Sequence, residues 1–308
     1  MGKIFKIGIK MLAEEINENI LIKSFGLYSS WCLLKPYQVL FDCGDGISQD
    51  LMSKIFSMDK VFLTHRHMDH LSGIFGMIGL RNRSLGGNDK PLEIWCNQKD
   101  NFFYKLPKLV EEIYPKKSLR YKLSFNHISP GESVSIGKNK YIKAFILNHN
   151  TLSSGYCLCQ KNYVLKNGLD PIKTGQMIKD KIVKRADVTE RKDIQIFAYT
   201  LDNCGFDYSE VKDVKEIVLD CTFLNEKDRK EMTHCTFLEC MKAIEEINCQ
   251  KAYLSHISPR YRDFYRKTLI WHKDRGLFLN GKQIKKDLSK ASATKLSNSK
   301  MRNSPKVD

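Results

Sequence analysis

Apolar runs in this chain repeatedly end on a histidine or an aspartate. The run KVFLT (60–64) leads into His65, His67, Asp69 and His70, IKAFIL (142–147) into His149, IQIFAYT (194–200) into Asp202, and KAYLS (251–255) into His256. Similar runs stand at 37–41 (YQVLF), 92–96 (LEIWC) and 216–220 (EIVLD). Each is short, rich in β-branched and aromatic residues and bounded by a polar or Gly-containing turn, the pattern of a buried strand. Helical spacing intervenes. Leu51, Met52, Ile55 and Phe56 share a face over 47–58, and Phe237, Met241, Ile244 and Ile247 share one over 237–247. Thr236, with Glu239 three residues on, forms a capping box that starts the second helix. Strands alternating with helices predict an α/β fold. Such folds gather functional groups beyond the strand ends at one sheet edge. Runs that end on His or Asp in four separate places therefore predict one shared site.

The 308 residues suffice for one large domain or two, with 42% hydrophobic and 28% charged residues as in ordinary folded chains. No apolar run reaches membrane-spanning length, and the N-terminal stretch lacks the signature of a signal peptide or of myristoylation. A cytoplasmic protein is expected, with no membrane partner. The ten cysteines are scattered and read as buried free thiols; Cys157 and Cys159 share a strand face but lack the second pair a structural zinc site needs. A formal charge of +16 favours phosphate-bearing partners without specifying one. Residues 160–193 are polar, basic and weakly patterned, and read as an insertion or reduced arm within a domain spanning 1–283. Residues 284–308 read as a basic, disordered tail. No internal repeat is apparent.

Imidazole nitrogens and carboxylate oxygens suit zinc or manganese and leave coordination positions open for water and substrate. His65 and His67 can bind one ion, Asp69 and His70 a second, and a carboxylate such as Asp202 can bridge them. Two ions a few ångströms apart clamp an attacking hydroxide and the oxygens of a phosphate or acyl group. His127 and His272 fit no part of this pattern and are expected to be ordinary residues.

THRHMDHLSG (64–73) resembles the H-x-H-x-D-H signature of the metallo-β-lactamase fold superfamily. Further motifs resemble its tRNase Z-like branch: LLKPYQVLFDCGDGIS with Asp42, HNTLSSGY with His149, YTLDN with Asp202, HCTFLEC with His234 and LSHISPRY with His256. The resemblance covers residues 37–263 and implies the αβ/βα four-layer sandwich of that superfamily. It implies two Zn²⁺ per chain, with Mn²⁺ or iron fitting the same ligands. His65, His67 and His149 would hold one ion, Asp69, His70 and His256 the other, and Asp202 would bridge them. A hydroxide between the ions would be the nucleophile, its parent water steered or deprotonated by Asp69, with His234 as general acid or as stabiliser of the leaving oxygen. Asp42 would buttress the metal loop, Asp220 would orient His234, and a homodimer is implied.

The branch cleaves phosphodiesters, which leaves two substrate classes. A tRNase Z, trimming tRNA 3′ trailers, usually carries a Gly-rich turn near its start and a long Gly/Pro-rich arm after its third motif. KSFGLYSSWCLL (23–34) departs from the first, and 160–193 is short for the second. SFGLYSSWCLLKPYQVLFDCGDGIS and RNRSLGGNDKPLEI are similar to stretches of the anti-Pycsar phosphodiesterases, found in phages and bacterial relatives, which open 3′,5′-cyclic mononucleotides. That similarity places cyclic nucleotides (cCMP, cUMP, cAMP or cGMP) ahead of RNA as the expected substrate, and the host cytoplasm as the location if a phage encodes the chain. Arg81, Asn82 and Arg83 are the expected phosphate donors. A non-catalytic nucleic-acid-binding module would have no need of an intact ligand set. LSHISPRY and the His234 segment favour phosphate esters over lactam or thioester chemistry.

Overall fold

The computed structural model describes residues 14–83, 90–97, 99–264 and 266–284. The basic tail expected over 284–308 lies outside these residues, Ile284 excepted. The first half runs β1 (Glu14–Asn17), β2 (Ile20–Phe25), β3 (Ser29–Leu34), β4 (Val39–Phe41), α1 (Ile47–Leu51) and β5 (Lys60–Phe62). It continues with α2 (Met68–Leu71), α3 (Gly73–Arg83), β6 (Leu92–Asn97), α4 (Asn101–Ile113) and β7 (Leu123–Ile128). Its seven strands form one sheet in sequential order, antiparallel from β1 to β4 and parallel from β4 to β7.

The second half brings β8 (Ser133–Gly137), β9 (Lys140–Leu147), β10 (Ser153–Gln160), β11 (Tyr163–Leu165), α5 (Pro171–Lys179), α6 (Arg185–Val188) and β12 (Thr189–Arg191). Then come β13 (Ile194–Thr200), β14 (Glu216–Asp220), α7 (Phe237–Ile247), β15 (Lys251–Ser255), β16 (Leu269–His272), β17 (Gly276–Leu279) and β18 (Lys282–Gln283). Nine of these strands make a second sheet in the order β18-β17-β16-β15-β14-β13-β10-β9-β8.

Alternation along the strands sorts side chains into layers, because successive residues face opposite sides of a sheet. In β3, Trp31 and Leu33 pack outward against α1, α3 and α4, while Cys32 and Leu34 face the second sheet. In β14, Ile217 and Leu219 pack on α7, while Val218 faces the first sheet. The layer between the sheets is aromatic, with Phe41 stacked on Tyr199 at 5.2 Å and Phe62 against Tyr156 at 5.3 Å. Helices outside and two sheets inside give the expected four-layer α/β sandwich.

The sequence expectations hold for α7, whose Thr236 side chain accepts from the Glu239 amide while Glu239 reaches back to the Thr236 amide. They fail over 47–58. The α-helix stops at Leu51, Met52 turns to φ 49° and is exposed, and a 3₁₀ segment carries Ile55 into the core. Residues 160–193 are also more ordered than their composition suggests. β11 and β12 form a separate two-stranded sheet that carries α5 and α6. The overlooked signal was Asp170-Pro171, an N-cap whose carboxylate accepts from the Lys173 amide, followed by proline at the first helical position. Nine of the ten cysteines are buried and all are free. Among the described residues no helix is long and apolar enough to cross a membrane.

Candidate metal centre

The strands β4, β5, β9, β13, β14 and β15 all deliver their C-terminal ends to one edge of the sandwich. β13, β14 and β15 pair in parallel, with Thr200 beside Leu219 and Leu219 beside Leu254, so Asp202, Asp220 and His256 emerge together. β9 runs the same way, separated from β13 by the antiparallel β10, and releases His149 there. β5 leads into the turn of His65, His67, Asp69 and His70. That turn is clamped to the loop after β4, where the Cys43 amide donates to the His70 carbonyl at 2.7 Å and the Gly73 amide to the Cys43 carbonyl at 2.8 Å. Gly44 must lack a side chain, since a Cβ there would lie 2.2 Å from the Asp69 carbonyl. Asp42, Asp202 and His256 hold left-handed backbones at φ 57°, 57° and 66°. Non-glycine residues reach that region at a cost of about 1–2 kcal/mol, and they persist there where the surroundings impose it, commonly at functional sites.

The side chains converge in two groups that share Asp202: His65, His67 and His149 on one side, and Asp69, His70 and His256 on the other, with ligand atoms within 4.8 Å of one another in each group. His70 Nε2 and His256 Nε2 lie 3.2 and 3.1 Å from Asp202 Oδ1, and His65 Nε2 lies 3.6 Å from Asp202 Oδ2. Asp69 Oδ2 stands 3.6 Å from His70 Nε2 and 3.7 Å from His256 Nε2. His149 Nε2 and His67 Nδ1 are 3.4 Å apart. The Nε2 atoms of His65, His70 and His256 and Oδ1 of Asp202 are buried without a hydrogen-bond partner. Buried polar atoms are seldom left so, and lone pairs facing each other at this spacing repel unless a cation lies between them. The donor set therefore fits divalent metal ions.

The opposite ring nitrogens are held by neighbours, which fixes the tautomers. Asp42 Oδ2 accepts from His70 Nδ1 at 2.7 Å, and His149 Nδ1 donates to the Thr233 carbonyl at 2.9 Å. Thr64 Oγ1 donates to Asp42 and stands 2.9 Å from His65 Nδ1. Thr222 Oγ1 repeats this, donating to Asp220 Oδ1 at 2.7 Å and standing 2.9 Å from His256 Nδ1. Sequence reasoning missed both threonines, although each lies within two residues of a singled-out His or Asp.

Burial is the main force lowering the pKa of His65, His67 and His149, which favours the neutral, metal-ready imidazole. His70 goes the other way. Burial opposes its charge, but the Asp202 and Asp42 carboxylates raise its pKa well above the ordinary value. For Asp202, burial is outweighed by His256 and His70, and its pKa falls well below the usual carboxylate range. A place that attracts positive charge so strongly favours a cation.

His234 sits beside this cluster, its ring stacked 5.2 Å from that of His256 and its Nδ1 2.7 Å from Asp220 Oδ2. The other proposed substrate groups lie elsewhere. Arg81 is buried, and its guanidinium donates to the carbonyls of Ile55, Met58 and Lys90 while lying over the Tyr121 ring. Asn82 binds the Ser118 carbonyl and the Arg120 amide. Both expectations are corrected, because these donors are committed to tying α3 to its neighbours and are not offered to a phosphate. Arg83 ends α3 with an exposed side chain. His127 packs against Tyr104 at 4.8 Å and His272 lies 3.2 Å from an Arg275 nitrogen, both outside the cluster.

No family model matches the chain. Among curated proteins, the Ribonuclease Z of Listeria monocytogenes serovar 1/2a is 30% identical over 265 residues, covering 75% of this chain and 82% of the relative. The chain belongs to the ribonuclease Z family. The Ribonuclease Z of Methanosarcina mazei is 27% identical over 254 residues, covering 75% of this chain and 81% of its own. Among solved structures, the short form of human tRNase Z superposes with a TM-score of 0.57 at 18% identity, covering 79% of this chain and 93% of that one. The metallo-β-lactamase fold protein YhfI of Bacillus subtilis gives 0.54 at 16% identity, covering 78% and 87%. Both structures share the fold. This ribonuclease Z family member is a hydrolase acting on phosphodiester bonds, with a His/Asp cluster capable of holding metal.

Proposed function

We propose that the chain is a metal-dependent endoribonuclease that removes 3′ trailers from precursor tRNA. His65, His67 and His149 would hold one cation, Asp69, His70 and His256 a second, and Asp202 would bridge, with zinc or manganese suited to these donors. Bound there, the cations supply Lewis acidity toward phosphate oxygens and an activated nucleophile at neutral pH. Asp69 would orient the attacking group and accept its proton. His234, with Nδ1 engaged by Asp220, keeps Nε2 as the atom that delivers a proton to the leaving oxygen.

The observation that carries the RNA reading is the ordered projection between the third ligand motif and the bridging aspartate. Its α5, the segment after it and α6 expose Lys173, Lys179, Lys181, Lys184 and Arg185, a cationic surface suited to a phosphate backbone. The relatives named Ribonuclease Z support the same choice. Residues 1–283 then act as one catalytic domain with 160–193 as its arm, and homodimerisation accompanies this reading. A second reading, opening of 3′,5′-cyclic mononucleotides, draws on the turn Gly26-Leu27-Tyr28, where the branch usually has a Gly-rich one.

The test offers the zinc- or manganese-loaded chain a 3′-extended tRNA precursor and, separately, cyclic AMP, CMP and UMP. Cleavage of the precursor near the acceptor end, with the cyclic nucleotides untouched, is expected. The reverse pattern replaces this reading with the second one. Replacing 161–192 by a short turn is expected to suppress precursor cleavage and spare small diesters.

A further inference from the structure

Large apolar side chains are exposed around the metal centre. Leu27 and Tyr28 are 80% and 62% exposed, and Met68, Leu152 and Met232 are exposed as well. Met68 lies between His67 and Asp69, Leu152 three residues beyond His149, and Met232 two before His234. A hydrolase has no need of such side chains for folding. Exposed next in sequence to residues of the His/Asp cluster, they offer apolar surface that a bound ligand can cover.

The turn between β2 and β3 is the most developed part of this rim. The Tyr28 amide donates to the Phe25 carbonyl at 2.8 Å, closing a tight turn over residues 25–28. Gly26 rests directly on a ligand residue, since a Cβ there would lie 3.2 Å from the His256 carbonyl and 3.5 Å from Cε1 of its ring. Leu27 takes a left-handed backbone at φ 73°, an uncommon conformation for a γ-branched residue, and holds its side chain in solvent. The buried Phe25 ring at the base of the turn has the Arg266 guanidinium at 5.3 Å and, at 5.5 Å, Lys23 Nζ, which is itself buried and paired with Asp50 at 2.7 Å. An aromatic tip and an apolar neighbour beside the His/Asp cluster match one need of a nucleotide, a flat face on which its base can stack.

We propose that Tyr28, assisted by Leu27, is the platform on which the nucleobase flanking the scissile phosphate of an RNA stacks. The proposal rests on the RNA reading above and names a specificity residue within it. Because the turn is seated on His256, a base stacked on Tyr28 fixes the position of its phosphate relative to the ligand cluster. A second copy of this chain covering the same face is the competing occupant.

The experiment crosses Tyr28→Ala with precursor tRNAs bearing an abasic nucleotide at each position flanking the cleavage site in turn. Tyr28→Ala is expected to lower kcat/KM on intact precursor by about 5- to 150-fold, the range that base–aromatic stacking supports. Tyr28→Phe is expected to stay within about twofold of wild type, since the ring face is kept. On one of the two abasic substrates the wild type is expected to fall to the level of Tyr28→Ala, and the variant to lose nothing further. Metal content is expected to be unchanged. Equal losses for Tyr28→Ala on intact and abasic substrates, or no loss on either, overturn the platform. So does a change of oligomeric state in the variant, which assigns the face to a second copy. A wild-type chain that leaves every precursor intact refutes the RNA reading instead. The platform is then judged by whether Tyr28→Ala raises KM for 3′,5′-cyclic AMP, and an unchanged KM overturns it.

Discussion

Asp220 Oδ2 stands 2.7 Å from His234 Nδ1, the same separation that joins Asp42 Oδ2 to His70 Nδ1 in the other half of the sandwich. In each half a threonine hydroxyl donates to that carboxylate and meets a second histidine: Thr64 reaches His65, and Thr222 reaches His256. The same four-residue device thus serves both sides of the cluster. On the second side one of its two histidines is His234, the proposed proton donor.

The first prediction concerns pH. Burial lowers the His234 pKa, but the Asp220 carboxylate outweighs it and lifts the value from 6.5 to about 9. A raised folded-state value means that the ion pair's stability contribution is complete below the unfolded pKa near 6.5 and is lost as pH rises through about 9. If His234 donates the proton, kcat falls over the same upper range, or lower once cations face the ring and favour its neutral form. Asp220→Asn is expected to move this alkaline limb down by about one pH unit or more. A limb that stays in place removes His234 from the role.

The second concerns Thr222. Thr222→Val keeps the shape but removes the hydroxyl that holds His256 Nδ1 and Asp220 together. Loss of such a support typically costs about 10- to 100-fold in metal affinity or activity. Metal stoichiometry after dialysis is expected to fall in Thr222→Val and to recover in Thr222→Ser. Unchanged stoichiometry in the valine variant refutes the assignment.

The third is metal removal. Ions that bind only the folded chain stabilise it by mass action, about 2.7 kcal/mol when present at 100 times Kd. A chelator is expected to lower Tm by about 5 °C and to abolish hydrolysis, with zinc or manganese restoring both. In His70→Ala, Tm is expected to lose most of its dependence on added metal. A full metal response in that variant contradicts the ligand assignment.

The fourth separates Arg81 from catalysis. Arg81→Met strands three buried or half-buried carbonyls, at about 1–3 kcal/mol for each group left unpaired. Chemical denaturation is expected to show a large loss of stability, while kcat/KM at low temperature stays near wild type. A selective loss of kcat/KM with stability intact returns Arg81 to the substrate.

What could be read from sequence follows from where the determining interactions lie. The convergence of these histidines and aspartates was legible because each closely follows an apolar run, and strand ends meet at one edge whatever the surrounding detail. Thr64 and Thr222 were not singled out, since a hydroxyl acquires its meaning only once β5, or β14 and β15, set a particular imidazole beside it. Arg81 was misread for a related reason. Its helix gives no local sign of whether the guanidinium meets a phosphate or the carbonyls of Ile55, Met58 and Lys90, which come from distant positions in the chain. Over 47–58 the apolar spacing was compatible with one continuous helix, and tertiary packing of Ile55 broke it after Leu51.

Each ligand group draws on both sheets: His65 and His67 from the first half join His149 and Asp202 from the second, and Asp69 and His70 join Asp202 and His256. An ion held by either group would therefore be a rivet across the seam of the sandwich. Losing it would loosen the joint between two halves that each keep a hydrophobic layer of their own, and mechanical or thermal opening of the metal-loaded protein is expected to begin away from this edge.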